Sequence, residues 1–202
     1  LCMIVKDEEK SLPRCLNSVR GVVDEIIMVD TGSRDRTVEV ARSFGARVFH
    51  FPWNGSFSDA RNFGIDRASG DWILILDADD ELAPDDREKI RPLLLARDVH
   101  GYAFQTINFT GPRAGGVAMT NLQIRLFRNQ NDFRYVGAIH EQIFGSPGYR
   151  LELVPEILVH HYGYLNGPVE EKRKFRRNAA ILKRVLKEHP DDGFALYNLG
   201  SE

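Results

Sequence analysis

Four carboxylates stand within five residues in Asp77-Ala78-Asp79-Asp80-Glu81, directly after the apolar run Trp72-Ile73-Leu74-Ile75-Leu76. Like charges this close repel, and in an extended segment residues i and i+2 point to one side, so Asp77 and Asp79 are expected to converge on a common point. A divalent cation there turns repulsion into coordination. All-oxygen ligation suits Mg2+ or Mn2+, both of which also bind phosphate oxygens. The competing interpretation is an acidic turn that caps the following helix. Its position at the carboxyl end of a buried strand, where open α/β sheets bind ligands, favours the cation site.

Two further groups carry chemistry. His160 and His161 follow Ile157-Leu158-Val159 at another strand end, where either imidazole could complete a metal site or simply serve the structure. Glu141 lies in Gly137-Ala138-Ile139-His140-Glu141-Gln142-Ile143-Phe144, placed either as a surface carboxylate or as a general base for a reacting hydroxyl or thiol. Phe144 stands where the metalloprotease motif needs its second histidine. Gly111 and Gly116 have phosphate-loop spacing, but Val117-Ala118 replaces the Lys-Ser/Thr pair, and no GxSxG elbow is present. Metalloprotease, P-loop ATPase and α/β-hydrolase chemistries are therefore unsupported.

The elements that must position these residues follow from periodicity. Short β-branched or apolar runs at 1–5, 25–30, 46–51 and 72–76 alternate with helical spacing, the pattern of parallel βαβ units. Helices are expected from about Glu9 to Val19, over 37–44 with Gly45 as a left-handed cap, and from a Ser56 or Ser58 cap to Ala68, before Gly70. The strand 71–76 is the most apolar and so should be central. Alternating runs at 102–109 and 121–127, joined through 110–120, predict mixed or antiparallel sheet. Over 169–189, Phe175, Ala179, Leu182, Val185 and Leu186 share a helical face, with eight basic residues against three glutamates. That charge could serve a pyrophosphate or an acidic partner, but a solvated helix face explains it and no catalytic role is assigned. Pro190 ends this helix, and 191–200 reads as the start of another.

Composition sets the outer bounds. The 202 residues suffice for one compact domain with a short appendage. A 43% hydrophobic and 28% charged chain is neither disordered nor collagen-like. With 27 basic against 29 acidic residues, the net charge of −2 gives no overall field for nucleic acid or an anionic membrane. The apolar run 72–76 is far short of the roughly 20 residues that span a bilayer, so no integral membrane protein is expected. Cys2 and Cys15, without a CxxC, suit a reducing, cytoplasmic location and read as small core residues. The opening Leu1-Cys2-Met3-Ile4-Val5 has neither an initiator methionine nor a charged n-region, so it reads as the inside of a longer protein rather than a signal peptide.

Four blocks in order, 3–9, 29–37, 60–64 and 70–80, resemble family 2 glycosyltransferases: Met3-Ile4-Val5-Lys6-Asp7-Glu8-Glu9, Val29-Asp30-Thr31-Gly32-Ser33-Arg34-Asp35-Arg36-Thr37, Ala60-Arg61-Asn62-Phe63-Gly64 and Gly70 to Asp80. Arg125-Leu126-Phe127-Arg128, His140-Glu141, His161-Tyr162-Gly163-Tyr164 and Pro190-Asp191-Asp192 are similar to the branch that carries tetratricopeptide repeats after its catalytic domain and includes S-glycosyltransferases. Many members open Pro-x-Tyr-Asn-Glu and continue Val-Asp-Asp-Gly-Ser, where this chain has Ile4-Val5-Lys6-Asp7-Glu8 and Val29-Asp30-Thr31-Gly32-Ser33.

The resemblance implies an α/β GT-A fold, Rossmann-like, with a central, mixed but mostly parallel sheet flanked by helices. It divides the chain into a catalytic domain, 1–165, and a helical extension, 166–202, leading into truncated helical repeats. It further implies a hexosyltransferase using a nucleotide-diphosphate sugar, a UDP-sugar, by a metal-dependent inverting displacement. Asp30 would lie near the base, Glu8 or Glu9 near the base or ribose, and Asp77 near the ribose or metal. Asp79 would hold Mn2+ or Mg2+ on the diphosphate, with His161, then His160, as a further ligand. Arg61 would assist on the phosphates, and Glu141 would take the proton of a peptide, protein, glycan or lipid acceptor. The alternative is a non-catalytic sugar-nucleotide-binding module on a helical-repeat scaffold. A nucleotidyltransferase lacks support because the glycine- and lysine-rich N-terminal loop is missing.

Overall fold

The computed structural model describes residues 1–110, 118–130, 132–165 and 168–201, with side chains except at 118 and 168–173. Gly111, Gly116 and most of the expected 110–120 connection lie outside the described residues, as does residue 166 at the expected domain boundary. Strands β1 (Cys2–Val5), β2 (Ile27–Asp30) and β3 (Arg47–His50) pair in parallel, with β2 in the middle. The remaining large sheet has the order β4-β7-β6-β10-β5, formed by Trp72–Leu74, Ala118–Arg128, Gly101–Phe109, Leu151–His161 and Asp80–Leu82. A single parallel bridge, Cys2 to Ile75, joins the two sheets. The β4 strand thus sits between β1 and β7, with the central place its apolarity predicts.

That apolarity has a direct cause in packing. Leu74 and Leu76 face one core with Met3, Leu16 and Phe104, while Ile73 and Ile75 face another with Ile27, Ile65 and Phe127. A strand buried on both faces needs apolar residues at successive positions rather than alternate ones. The second half is mixed, as expected: β6–β7, β4–β7 and β10–β5 are antiparallel and β10–β6 is parallel. A small ribbon of β8 (Arg134–Val136) and β9 (Gln142–Phe144) stands apart.

Helix α1 (Leu12–Ser18) begins later than the expected Glu9. The amides of Asp7, Glu8 and Glu9 donate to Ser33, Thr37 and Asp35 across a neighbouring loop, which fastens this segment to that loop ahead of the helix, with Asp7 in a left-handed conformation at φ +57°. Helix α2 (Thr37–Ser43) ends before Gly45, whose φ of +80° is the left-handed cap read from sequence. Helix α3 (Phe57–Ile65) is capped by Ser56, which accepts from the Asp59 amide at 3.2 Å. It stops short of Ala68 because Arg67 and Ala68 tighten into i→i−3 bonds. After β5 comes α4 (Arg87–Leu93), and the chain closes with α5 (Pro168–Glu188) and α6 (Gly193–Ser201). Along α5, Ile181 and Leu182 are buried, but Phe175, expected in the same stripe, is 45% exposed. The turn carrying it directs polar residues inward instead, with a consequence for the cleft described next.

Candidate active site

The carboxyl end of β4 delivers the acidic run into a tight turn. The Asp80 amide donates to the Asp77 carbonyl at 3.0 Å, and the Asp77 amide donates to Asp80 Oδ2 at 2.8 Å. This corrects the expected extended segment. The reason is long-range: Arg125, from β7, binds Asp80 Oδ2 at 2.9 Å, and the fully buried Asp80 carboxylate pulls the turn closed. Asp77 and Asp79 still line one cleft of about 440 Å3, but with different partners.

Asp77 belongs to an ion-pair chain. Arg61, one turn into α3, donates from Nη2 to Asp77 Oδ1 at 2.9 Å and from Nε to Glu141 Oε1 at 2.6 Å. Glu141 comes from the loop between β8 and β9, where His140 has a φ of +52° and the Phe57 amide grips the Ala138 carbonyl at 2.8 Å. Burial alone would raise the Asp77 carboxyl, but Arg61 and then Arg125 outweigh it and hold it well below the usual range. Burial likewise works against the Arg61 guanidinium, and Asp77 with Glu141 reverses the effect, so it stays charged. Arg61, Asp77, His140 and Glu141 also line a second cavity of about 500 Å3, walled by Leu122, Ile124, Tyr135 and Ile143.

Asp79, Asp80 and His161 place one ligand atom each within 4.8 Å of one another. His161, at the end of β10, has Nδ1 2.9 Å from Asp80 Oδ1 and 3.6 Å from Asp79 Oδ1. Carboxylates commonly orient metal-binding imidazoles through the ring nitrogen that does not ligate, which leaves Nε2 available here. Gly163 completes the cradle: a Cβ on it would lie 2.3 Å from Asp79 Oδ2 and 2.6 Å from His161 Nε2. Only a residue without a side chain lets both ligand atoms come this close to the backbone, and a carboxylate beside an imidazole is a donor set that fits a divalent cation. Burial raises the Asp79 carboxyl above its ordinary range, against the pull of His161. The His161 imidazole is raised despite burial, because Asp80 and Asp79 favour its charged form. Glu8, also in the cleft, is pushed up to about 7 by burial, with Ser11 opposing and Asp79 and Asp77 adding to the rise.

The other residues read from sequence are placed elsewhere. Asp30 is 3% exposed and accepts from the Ser33 and Gly32 amides, at 3.0 and 3.3 Å, with His50 at 3.1 Å, so it shapes its own loop while Thr31 reaches the cleft. Glu9 accepts from the Arg36 amide at 3.0 Å and does not line the cleft. His160 is not brought to Asp79: strand alternation turns it away from His161, and its ring lies 5.4 Å from that of Phe109. Sequence reasoning missed the part of Asp80, whose partner is remote in the chain, and the presence of Lys174, Arg177 and Asn178 in the cleft wall. For the latter, a polar i, i+3, i+4 pattern was the available signal.

A model of the family described as "Glycosyl transferase family 2" matches residues 1–158. A TPR repeat-containing protein of Synechococcus elongatus is 39% identical over 208 residues, covering 99% of this chain and 51% of its own length. The SPbeta prophage-derived glycosyltransferase SunS of Bacillus subtilis is 27% identical over 209 residues, covering 99% and 48%. The chain therefore spans about half the length of these curated relatives. TarS of S. aureus, solved in complex with UDP-GlcNAc, superposes with a TM-score of 0.58 at 16% identity, over 91% of this chain and 65% of that one.

Proposed function

The chain belongs to glycosyl transferase family 2 and has the GT-A fold, and from that premise we propose that it moves a hexose from a UDP-sugar to an acceptor by a metal-dependent inverting displacement. The observation that carries this reading is the donor cluster of Asp79, Asp80 and His161, gathered against Gly163 in the same cleft as the Arg61–Glu141 pair. Asp79 and His161 would hold Mn2+ or Mg2+, with Asp80 orienting the imidazole. The chemistry such an ion supplies when bound is neutralisation of charge on the departing diphosphate. The UDP-GlcNAc bound to TarS supports a uridine donor.

The chain's own residues then have distinct tasks. Glu8 and Thr31 line the part of the cleft that takes the nucleoside, and Asp30 and Glu9 hold the loop around it. Arg61 fixes Glu141 through one carboxylate oxygen, at the junction of the two cavities. With the donor in the first cavity, the acceptor approaches from the second. Its hydroxyl or thiol gives its proton to Glu141 and bonds to the anomeric carbon, as the bond to the diphosphate oxygen breaks on the opposite side. The acceptor class, peptide, protein, glycan or lipid, is set in the longer protein, where 1–165 is the catalytic unit and 166–202 leads into helical repeats. Two free buried thiols suit a cytoplasmic setting.

Calorimetric titration with UDP, GDP, CDP and dTDP, with and without Mn2+, tests the donor site. UDP is expected to bind only with metal, and Asp79→Ala and Gly163→Ala each to weaken it at least tenfold. Binding of no nucleotide by the folded protein would move the reading to a non-catalytic scaffold. In the longer protein, Glu141→Gln should keep donor binding and lose transfer; transfer at the normal rate would remove Glu141 as the base.

A further inference from the structure

Lys174, Arg177 and Asn178 recur at i, i+3 and i+4 on α5, so they share one helix face. That face closes the donor cleft, where all three line the wall together with Glu8 and Asp79. Further along, Ile181 and Leu182 pack with Ile139, Trp53 and Phe57, and Arg184 donates to the Asn54 and Gly55 carbonyls, the latter at 2.7 Å. The helix is thereby pinned to the loop that enters α3, and its polar turn has a defined place over the cleft.

Lys174 Nζ reaches the Gly163 carbonyl at 3.4 Å, on the residue against which Asp79 Oδ2 and His161 Nε2 are packed. An ammonium has three N–H donors, and this contact takes one. Arg61, the buried cation across the cleft, pairs with Asp77 and Glu141 through Nη2 and Nε, so its charge is already shared between two carboxylates, with Nη1 left to donate. A dianionic leaving group in a cleft lined by Glu8, Asp77, Asp79 and Glu141 needs positive charge beyond one metal ion. The match to the family ends at residue 158, so α5 lies outside it.

We propose that Lys174 is a donor-binding residue, giving hydrogen bonds to the β-phosphate of the nucleoside diphosphate, so that the helical extension forms part of the donor site. This rests on the donor reading above. The test is calorimetry in Mn2+ with UDP and with UMP, which lacks the β-phosphate, on the wild-type chain and on Lys174→Met, Lys174→Arg and Lys183→Met. Lys183 is an exposed lysine of the same helix and controls for general charge. Lys174→Met is expected to weaken UDP about ten- to a hundredfold and UMP by less than about twofold. Lys174→Arg should recover most of the loss, and Lys183→Met should bind as wild type. The proposal is overturned if Lys174→Met binds UDP normally, if it loses UDP and UMP alike, or if Lys183→Met loses as much. If the wild-type chain binds neither nucleotide, the donor reading falls and takes this proposal with it.

Discussion

At the scale of single residues, the cleft is built from charges that burial alone would neutralise. Asp80 and Arg125, 0% and 5% exposed as side chains, are stable only as a pair, because either one left alone would be an uncompensated buried charge. Glu8 has no ion pair among the described residues, Lys174 across the cleft offsets its burial only in part, and its pKa of about 7 against an ordinary 4.5 means that the folded chain keeps a proton the unfolded chain gives up. Between those values the folded state binds more protons, so stability falls as pH rises and the full cost is present above about pH 7. Urea unfolding in metal-free buffer at pH 5 and pH 8 should show Glu8→Gln gaining up to about 3 kcal/mol on wild type at the higher pH. Equal pH dependence in the two proteins would mean that Glu8 is solvated and ionised throughout.

Among the elements, α3 and α5 do most of the positioning. Ser56 caps α3 and so sets the rotation that aims Arg61 between Asp77 and Glu141. Arg184 anchors α5 to the loop before that cap, and Gly55 makes the approach feasible: its φ is +82°, and a Cβ would meet the guanidinium at 2.4 Å. Gly55→Ala therefore strains the backbone and displaces Arg184 at once. A loss of about 1–2 kcal/mol of unfolding free energy, read as a lower denaturant midpoint, is expected, with α5 becoming the first site cut in limited proteolysis. An unchanged midpoint and cleavage pattern would show that α5 is held by its apolar face alone.

Over the whole molecule, the three-stranded and five-stranded sheets meet at the Cys2–Ile75 bridge, and Asp77, two residues beyond it, lines both cavities. Among the described residues, no helix is long and apolar enough to cross a membrane. Cys2 and Cys15 are both buried, and burial pushes the Cys2 thiol up to about 11 and that of Cys15 well above its ordinary value. Neither thiolate is accessible in the native state. Both thiols should therefore react with an aromatic disulfide reagent only as fast as the domain unfolds, with one rate constant for the two; rapid reaction of one would reveal local opening at β1 or at α1.

What the sequence determined is local. The periodicities of β1 to β4 and of α1 to α3, the glycine after α2, the serine before α3 and the acidic run after the most apolar strand all depend on neighbours within one or two turns. What only tertiary structure decided is where distant segments meet. Asp80 turns inward because Arg125 lies 45 positions away, and Glu141 faces the cleft because Arg61 reaches it across 80. His161 rather than His160 meets Asp79 because pairing with β6 and β5 sets which face of β10 looks into the cleft. The stripe of α5 was legible, but not that its polar turn meets a cleft. Periodicity tells which side of an element is buried; the partner on that side is chosen by sheet order and by buried charge pairs, and those energies exist only once the chain has closed on itself.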